Sequence, residues 1–491
     1  MKYILAIDQG TSGSKVIIFD EYGHIVSKAF AKLDSLYPRP SFVEQDPLEI
    51  LRSVTDALDS CLRSFPGNKT DIVSCGISNQ RETFLLWDEA GKPVTNAIVW
   101  QCKRSVDICR RLKEEGIENE VREKTGLIVD PYFSGTKLLW LMENEPRVRK
   151  IVEEGSAYFG TVDTWLLYKL TDGECFMTDY TNASRTLFFN INDLSWDKEL
   201  IRSLGLSNLH FPEVKASSYD FGRTDFEGRL PQPVVIGSLI GDSHAAAFGE
   251  RCFNTGNAKA TMGTGSSILM NVGSTKPKSR TGMLGTICWS TGDHIDYALE
   301  GAIVTCGATI KWLINQLNLF EKSSETEKMA LSVPDNNGVY FIPAFSGLGA
   351  PHWKMDLRAR ITGLTLDCNK NHVVRAALES IPYQIKDVLT AMSNDSGIDI
   401  SELKADGGIT ANNFVMQFLS DLLEVDVVKN GIEEVSALGA AFLAGLNEGI
   451  FRDLEHIESL SLKEKEFIPN KDSEVVHSCY KQWKREINQM L

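Results

Sequence analysis

A stretch of glycine and hydroxyl side chains near the N-terminus is the first place where this sequence could do chemistry. Residues 8–13 read Asp-Gln-Gly-Thr-Ser-Gly and lie between two apolar runs. We expect a β-hairpin whose tight turn offers backbone N–H groups and the hydroxyls of Thr11 and Ser12 to an anion. Asp8, at the end of the first strand, suits Mg²⁺, because this ion favours carboxylates and phosphates. Taken alone, an ordinary hairpin turn explains the pattern more often than a binding site does.

A second stretch of the same kind begins at Thr261. Residues 261–270 read Thr-Met-Gly-Thr-Gly-Ser-Ser-Ile-Leu-Met, a Gly-Thr-Gly-Ser turn followed by an apolar strand. Two phosphate-type hairpins about half a chain apart predict a duplicated architecture with a nucleotide between the halves. At this level the sequence resembles the actin, Hsp70 and hexokinase group of ATPases. We therefore expect a two-domain α/β fold of that type, divided into residues 1–249 and 250–491, with the active-site cleft between the domains.

Composition limits the possible partners and compartments. The chain has 491 residues, enough for two large domains, and its net charge of −15 argues against nucleic acid or an anionic membrane as partner. The N-terminus leads directly into a strand containing Asp8, and no apolar run approaches a membrane span, so we expect neither a signal peptide nor membrane insertion. Ten scattered cysteines are typical of reduced, mostly buried thiols in a cytoplasmic protein. The oligomeric state stays open, with a homodimer or a higher homo-oligomer among the alternatives.

The elements that must position these residues follow from local patterns. Asp46 and Pro47 predict a helix start with an N-cap and a proline at its first position. Buried strands over 72–77 and 234–240 each end in polar residues, where α/β proteins place ligand contacts. The first strand leads to Arg81 and Glu82, and the second to Asp242. Before any family is considered, a surface Arg–Glu pair is as common a reading as a site, and Asp242 could be a helix N-cap instead of a catalytic residue.

Further elements complete the expected second half. We predict helices near 307–313 and 371–392, and a strand from residue 404 that ends in the turn Gly407-Gly408. A glycine pair lets backbone approach a flat ligand closely, because no Cβ intervenes. The small-residue stretch 434–445 predicts a helix suited to close packing. The last forty residues predict a peripheral helix.

Longer motifs make the resemblance specific. Residues 132–141, Tyr-Phe-Ser-Gly-Thr-Lys-Leu-Leu-Trp-Leu, are similar to the first signature of the FGGY carbohydrate kinases, and residues 360–364 with 372–379 are similar to the second. Within that family the segments are most similar to its glycerol kinase branch. They include Asn-Gln-Arg-Glu-Thr, Ile-Val-Trp-Gln-Cys, Phe-Gly-Thr-Val-Asp-Thr-Trp and Pro-Ala-Phe-Ser-Gly-Leu-Gly-Ala-Pro, at 79–83, 98–102, 159–165 and 343–351. The resemblance runs from about residue 3 to about residue 470.

The resemblance implies an ATP-dependent kinase of a small polyol, most simply glycerol converted to glycerol 3-phosphate, with ATP and Mg²⁺ between the domains. Asp242 is then the general base. Matching positions imply polyol contacts at Arg81, Glu82, Trp100, Tyr132, Asp242, Ser243 and Ser267. They imply ATP contacts at Thr11, Ser12, Lys15, Gly263, Thr264, Gly307, Lys311, Gly408, Ile409 and Asn413, and metal contacts at Asp8 and Asp242.

Several departures from the family pattern keep an alternative substrate open. Ser243 and His244 stand where glycerol kinases normally have two glutamines, and Ser267 stands where they have a phenylalanine. Lys15 replaces an arginine, which keeps the charge but loses the planar fork of donors. A kinase of another polyol or ketose with four or five carbons is therefore the alternative. A nucleotide switch without a small substrate is the alternative from another class, and Arg81, Glu82 and Asp242 argue against it. No fructose 1,6-bisphosphate loop is visible near 225–231, so we expect no such regulation.

Overall fold

Two mixed β-sheets, one from each half of the chain, form the framework around a central cleft. The computed structural model describes residues 1–431, 434–462, 464–470 and 474–491. The strands of the first half are β1 Tyr3–Gly10, β2 Gly13–Asp20, β3 Ile25–Lys32, β4 Glu44–Gln45, β5 Ile72–Asn79, β6 Phe84–Asp88, β7 Ala97–Ile98, β8 Ala157–Thr161, β9 Met177–Asp179, β10 Phe189–Asn190, β11 Ser195–Trp196, β12 Glu213–Lys215, β13 Arg223–Thr224 and β14 Val234–Gly241. The helices of this half are α1 Pro47–Ser64, α2 Val106–Glu114, α3 Glu118–Thr125, α4 Ser134–Asn144, α5 Pro146–Glu153, α6 Val162–Leu170, α7 Tyr180–Ala183, α8 Lys198–Ser203 and α9 Asp242–Gly249.

The second half repeats the mixture of strands and helices. Its strands are β15 Asn257–Met262, β16 Ser266–Gly273, β17 Leu284–Thr291, β18 His294–Ile303, β19 Tyr340–Ile342, β20 Arg360–Thr362, β21 Glu402–Asp406, β22 Asp426–Asn430 and β23 Glu464–Phe467. Its helices are α10 Gly307–Asn315, α11 Thr326–Leu331, α12 Lys370–Ser396, α13 Asn413–Leu423, α14 Val435–Asn447, α15 Leu454–Glu458 and α16 Glu474–Asn488. No described helix combines the length and the apolarity that crossing a membrane would require.

The two sheets share one pattern of connections. The first has the strand order β13-β14-β5-β1-β2-β3 and the second β17-β18-β16-β15-β21-β22-β23. In the first, β1 pairs antiparallel with β2 and parallel with β5. In the second, β15 pairs antiparallel with β16 and parallel with β21. The duplicated architecture and the actin-like two-domain α/β fold predicted from the two hairpins are confirmed.

Helix α14 joins the second half of the chain to the first sheet. Its small residues let it lie against β5, β14 and α9, where Ser238 Oγ donates to the Ala440 carbonyl at 2.7 Å. A Cβ added at Gly439 would lie 1.9 Å from the Ala245 carbonyl oxygen, so only glycine fits there. The close packing predicted for this stretch is confirmed, and it fixes the start of α14 beside the cleft.

Local predictions agree with the structure except at element ends and in the C-terminal tail. Helix α1 begins at Pro47, and Asp46 caps it by accepting from the Leu48 N–H. Strand β7 covers only Ala97–Ile98, so Trp100 lies two residues beyond its end. The helix predicted for the last forty residues is present as α16, and the structure adds an edge strand, β23, which pairs with β22. All ten cysteines are unpaired and most are buried, as expected.

Candidate active site

A cleft of about 910 Å³ lies between the two sheets and collects most of the residues singled out from the sequence. It is lined by the ends of β1, β15, β21 and β22 and by the starts of α9 and α14. The predicted residues among its walls are Asp8, Thr11, Lys15, Arg81, Glu82, Trp100, Tyr132, Asp242, Ser243, Ser267 and Gly408. Residues far apart in sequence are therefore neighbours, as a ligand held between two halves requires.

The first hairpin turn faces the cleft with Asp8, Thr11 and Lys15. Asp8 accepts from Ser78 Oγ at 3.0 Å on the neighbouring strand β5. Burial raises the pKa of Asp8 to about 6, with Lys15 opposing the rise and Asp242 adding to it. Lys15 Nζ lies 2.5 Å from Glu434, just before α14. Ser12 is exposed at the tip of the turn and lies outside the cleft lining.

The second hairpin turn packs against the start of α10 and the turn after β21. The Gly307 N–H donates to the Gly263 carbonyl at 2.9 Å, and Ala308 donates to Thr264 at 3.1 Å. A Cβ on Gly307 would come within 2.6 Å of the Gly263 oxygen and 3.3 Å of the Ile409 side chain. Gly263, Thr264, Gly307 and Ile409 therefore form one compact group next to the cleft wall at Gly408.

Two predicted ATP contacts lie apart from the cleft lining. Lys311 is exposed on α10, one turn after Gly307. Asn413, at the start of α13, donates from Nδ2 to Glu327 at 3.1 Å and accepts from Lys465 Nζ at 2.6 Å. Asn413 lines a separate pocket of about 330 Å³ beside α16. The structure brings neither side chain to the cleft wall.

Asp242 is the first residue of α9, directly after the buried strand β14. Gly241 is the N-cap of this helix, so the alternative that Asp242 acts as the N-cap is wrong. Its Oδ1 accepts from the Ser243 N–H at 2.6 Å and from Arg81 Nε at 3.1 Å. The side chain is 43% exposed to the cleft. A carboxylate held on one side and open on the other can accept a proton from a bound hydroxyl.

Arg81 and Glu82 belong to a buried ionic network that sequence reasoning found only in part. Arg81 donates from both terminal nitrogens to Glu300, at 3.1 and 3.0 Å. Arg185 donates to Glu82 at 2.6 Å and to Glu300 at 2.6 Å. The guanidiniums of Arg185 and Arg81 hold the pKa of Glu300 well below its usual range, although burial alone would raise it. Arg185 and Glu300 were not predicted; a lone glutamate within the apolar strand 297–303 is the signal that points to a buried ion pair.

An aromatic wall faces the network. The rings of Trp100 and Tyr132 meet edge to face with centroids 5.6 Å apart. Trp100 Nε1 donates to Thr11 Oγ1 at 2.9 Å, which ties this wall to the first phosphate turn. Burial raises the pKa of Tyr132, so its hydroxyl stays protonated. The wall offers an apolar face to C–H groups, and the network offers donors and acceptors to hydroxyls.

Ser243 and Ser267 lie within hydrogen-bond distance of each other in the cleft lining. Their Oγ atoms lie 3.2 Å apart, one on α9 and the other on β16 of the second sheet. Next to them His244 is fully buried, and burial lowers its pKa well below the usual value. Its Nδ1 has no hydrogen-bond partner among the described residues. The cleft lining beside Asp242 thus consists of the small hydroxyl side chains of Ser243 and Ser267.

The cleft is also lined by charged residues that were not predicted from the sequence as part of the site. Lys259 Nζ donates to Thr261 Oγ1 at 2.9 Å, and Thr261 donates to Asp406 at 3.0 Å. These side chains lie where β15 and β21 end, next to the Gly407-Gly408 turn. Gly407 has φ +90°, and a Cβ there would lie 2.5 Å from the Met262 oxygen. Strands β15 and β21, which bring Lys259 to this turn, lie nearly 150 positions apart in the sequence. Local spacing therefore could not identify Lys259 as a residue of the site.

Comparisons with known proteins match nearly the whole length of the chain. The chain is 46% identical over 491 residues to a glycerol kinase of Thermoanaerobacter sp. (strain X514), covering 100% of this chain and 99% of that relative. It is 47% identical over 483 residues to a glycerol kinase of Shewanella baltica (strain OS195), covering 98% of each. The crystal structure of Plasmodium falciparum glycerol kinase with ADP superposes with a TM-score of 0.94 at 35% identity, covering 100% of this chain and 98% of that one. Residues 3–249 match the N-terminal domain, and residues 258–448 the C-terminal domain, of the FGGY family of carbohydrate kinases, and the chain therefore belongs to that family.

Proposed function

We propose that this protein transfers the γ-phosphoryl group of ATP to a hydroxyl of a small polyol, with glycerol as first candidate and glycerol 3-phosphate as product. The observation that carries the proposal is the place of Asp242. Its half-exposed carboxylate shares one cleft with the Arg81–Glu82 pair and with the first phosphate turn. The relatives named glycerol kinase support the choice of polyol.

In this mechanism Asp242 accepts the proton of the attacking hydroxyl. Arg81 and Glu82 bind polyol hydroxyls as donor and acceptor, and Trp100 and Tyr132 cover the C–H face. Ser243 and Ser267 bound the far side. Positioning and charge stabilisation account for most of the rate in phosphoryl transfer, because the protein forms no covalent bond to the phosphoryl group.

We assign the nucleotide to the two hairpin turns and the glycine turn after β21. Lys15 and Lys259 supply positive charge at the cleft wall, and the hydroxyls of Thr11 and Thr264 suit phosphate oxygens. The full proposed set is Thr11, Ser12, Lys15, Gly263, Thr264, Gly307, Lys311, Gly408, Ile409 and Asn413. Lys311 and Asn413 need a rearrangement of their side chains to reach ATP. The proposed division into domains is 1–249 and 250–491, with residues of both around the nucleotide.

A Mg²⁺ ion fits the carboxylates of Asp8 and Asp242. Asp8 lies in β1 and Asp242 directly follows β14, both of which pair with β5, and the charge of Asp242 helps to raise the pKa of Asp8. With a pKa of about 6, Asp8 is largely ionised at neutral pH. When bound, the ion would neutralise charge on the β- and γ-phosphates. We further propose a cytoplasmic location, since unpaired, mostly buried cysteines suit a reducing compartment.

A polyol or ketose of four or five carbons is the second candidate substrate. Ser243 and Ser267 favour it, because two small hydroxyl side chains in the cleft lining offer hydrogen-bonding capacity beside the base. A bulky apolar residue at either position would remove that capacity.

The test is a coupled assay of ADP release with Mg·ATP and each of glycerol, erythritol, ribitol, xylitol and the pentuloses. We expect ADP release to depend on an added polyol, and kcat/KM to identify the substrate. ADP release that no polyol changes would refute the kinase and favour a nucleotide switch.

A further inference from the structure

We propose that Arg185 and Glu300 are positioning residues that hold Arg81 and Glu82 in the polyol site, and that through Glu300 the second sheet sets the geometry of contacts built on the first. The inference rests on the proposed polyol kinase function. It assigns roles to two residues that are absent from the described lining of the cleft.

Glu300 joins the two halves at one carboxylate. It lies on β18, where it pairs with Leu269 on β16 and Leu284 on β17 of the second sheet. Its two oxygens accept from both terminal nitrogens of Arg81, which follows β5 of the first sheet. This bidentate contact fixes the plane of the Arg81 guanidinium and leaves Nε for Asp242 at 3.1 Å. The orientation of Arg81 toward the proposed base therefore depends on a strand of the other sheet.

Arg185 holds Glu82, the other member of the Arg81–Glu82 pair. It donates to Glu82 Oε1 at 2.6 Å and to Glu300 Oε2 at 2.6 Å, so one guanidinium spans both carboxylates. The side chain is fully buried and its plane lies over Phe133, with 5.1 Å from Cζ to the ring centroid. Glu82 has a backbone φ of +59°, which is unusual for a glutamate, and Ser134 Oγ holds its carbonyl at 2.8 Å. This left-handed backbone conformation costs free energy at a glutamate. A requirement that the Glu82 side chain point toward Arg185 would account for it.

The arrangement of charges explains why neither residue can be replaced freely. Two guanidiniums and three carboxylates alternate along the chain of contacts from Glu82 through Arg185, Glu300 and Arg81 to Asp242. Removing one charge leaves a buried partner uncompensated, and the remaining groups must turn to new partners. Arg81 and Glu82 are then the groups that move, because they contact Glu300 and Arg185 directly and also line the cleft.

This role predicts a specific kinetic pattern. Misplacing polyol contacts by about 1 Å costs on the order of 100-fold in kcat/KM, and the loss should fall mainly on the polyol KM. The KM for ATP should change much less, because the hydrogen bonds of Arg185 and Glu300 go to Glu82, Arg81 and each other and not to the phosphate turns. A merely structural role would instead lower the amount of folded enzyme and reduce kcat equally for both substrates, with both KM values preserved.

The experiment compares Arg185→Lys, Glu300→Gln and Glu300→Asp with the unaltered protein and with one control. Lysine keeps the charge of Arg185 but lacks the fork needed to reach two carboxylates. The control is Glu379→Gln, which breaks a buried ion pair with Arg375, 2.8 Å long, on helix α12 away from the cleft. Each variant is assayed for both KM values and kcat, for thermal unfolding, and for the shift in Tm that saturating polyol causes without ATP.

We expect the three network variants to raise the polyol KM and to reduce the polyol-induced shift in Tm, while Glu379→Gln lowers Tm alone. The double variant Glu300→Gln with Arg185→Lys should lose less than the product of the single losses, because the residues act through one network. Unchanged polyol KM in all three variants would overturn the inference. So would unfolding of all three under conditions where Glu379→Gln stays folded, since that would make the network structural. Absence of polyol-dependent turnover in the unaltered protein would instead refute the proposed function.

Discussion

Asp242→Asn tests the proposed chemistry most directly, because the substitution removes the proton acceptor but keeps its shape and one oxygen that could still face Mg²⁺. The amide oxygen of asparagine can still accept from the Ser243 N–H and from Arg81 Nε, which now lie 2.6 and 3.1 Å from Oδ1. Arg81 keeps its two contacts to Glu300. We therefore expect the variant to fold, to keep Arg81 oriented and to bind nucleotide.

The expected loss follows from what the carboxylate does in the cleft. Asp242 is 43% exposed, so its ion pair with Arg81 is partly solvated and contributes about 1 kcal/mol or less to stability. Loss of a general base costs roughly 10²- to 10⁴-fold in rate, or about 2.7 to 5.5 kcal/mol of activation free energy. The effect on kcat should thus far exceed any effect on unfolding or on the KM for ATP.

The assay measures kcat and both KM values by coupled ADP release, and nucleotide binding by the shift in Tm with ADP. Asp46→Asn is the matched control, because it makes the same chemical change at a helix N-cap that asparagine also serves. A kcat for Asp242→Asn within a few-fold of the unaltered enzyme would refute the assignment of the base. Equal losses in Asp46→Asn would show that the assay reports stability and not chemistry.

Three other outcomes are expected. Asp8→Ala should weaken the use of Mg·ATP far more than polyol binding, measured by Mg²⁺ titration and by the polyol-induced shift in Tm; equal loss of both, or loss of the fold by circular dichroism, would contradict a metal role. Since burial raises the folded-state pKa of Asp8 above its unfolded value of 3.8 to about 6, the folded protein binds more protons and its stability should fall as pH rises between roughly pH 4 and pH 6. Asp8→Asn should flatten that part of the Tm profile, and an unchanged profile would show that Asp8 does not titrate there. Ser267→Phe should shift kcat/KM toward glycerol over four- and five-carbon polyols by roughly 10- to 200-fold, because a ring in the cleft lining reduces the room for a longer polyol; a wide preference for glycerol in both proteins would show that a longer polyol does not use this part of the cleft.

The parts of this molecule that local sequence determines were predicted well. The two Gly-Thr-Ser turns each lie between apolar strands, so both hairpins could be predicted without knowledge of the rest of the chain. Asp242 follows a buried strand, and residues at that position meet at the same edge of a parallel sheet. Helix α1 follows from Asp46 and Pro47, because capping depends on adjacent residues alone.

Side-chain partners across the fold were the part that local patterns could not supply. Asn413 fits a nucleotide contact by its position after the glycine turn, but its amide pairs with Glu327, which lies 86 residues earlier. Strand β23 has no apolar alternation strong enough to separate it from a charged tail, and it joins the sheet by pairing with β22. In both places a residue or strand distant in the sequence determines the structure, and a single sequence does not show which distant segments come into contact.

Glu300 shows where such information could still be extracted. The run 297–303 is apolar apart from this glutamate, and in the structure residues 296–301 are buried on both faces of the strand. A buried carboxylate needs a cation and hydrogen bonds, so the sequence alone requires a partner for it. With 51 lysines and arginines in the chain, the sequence does not say which one. In the structure two arginines, Arg81 and Arg185, pair with Glu300. Because Arg81 also lines the cleft, the need of β18 to neutralise its buried glutamate also fixes a side chain of the proposed polyol site.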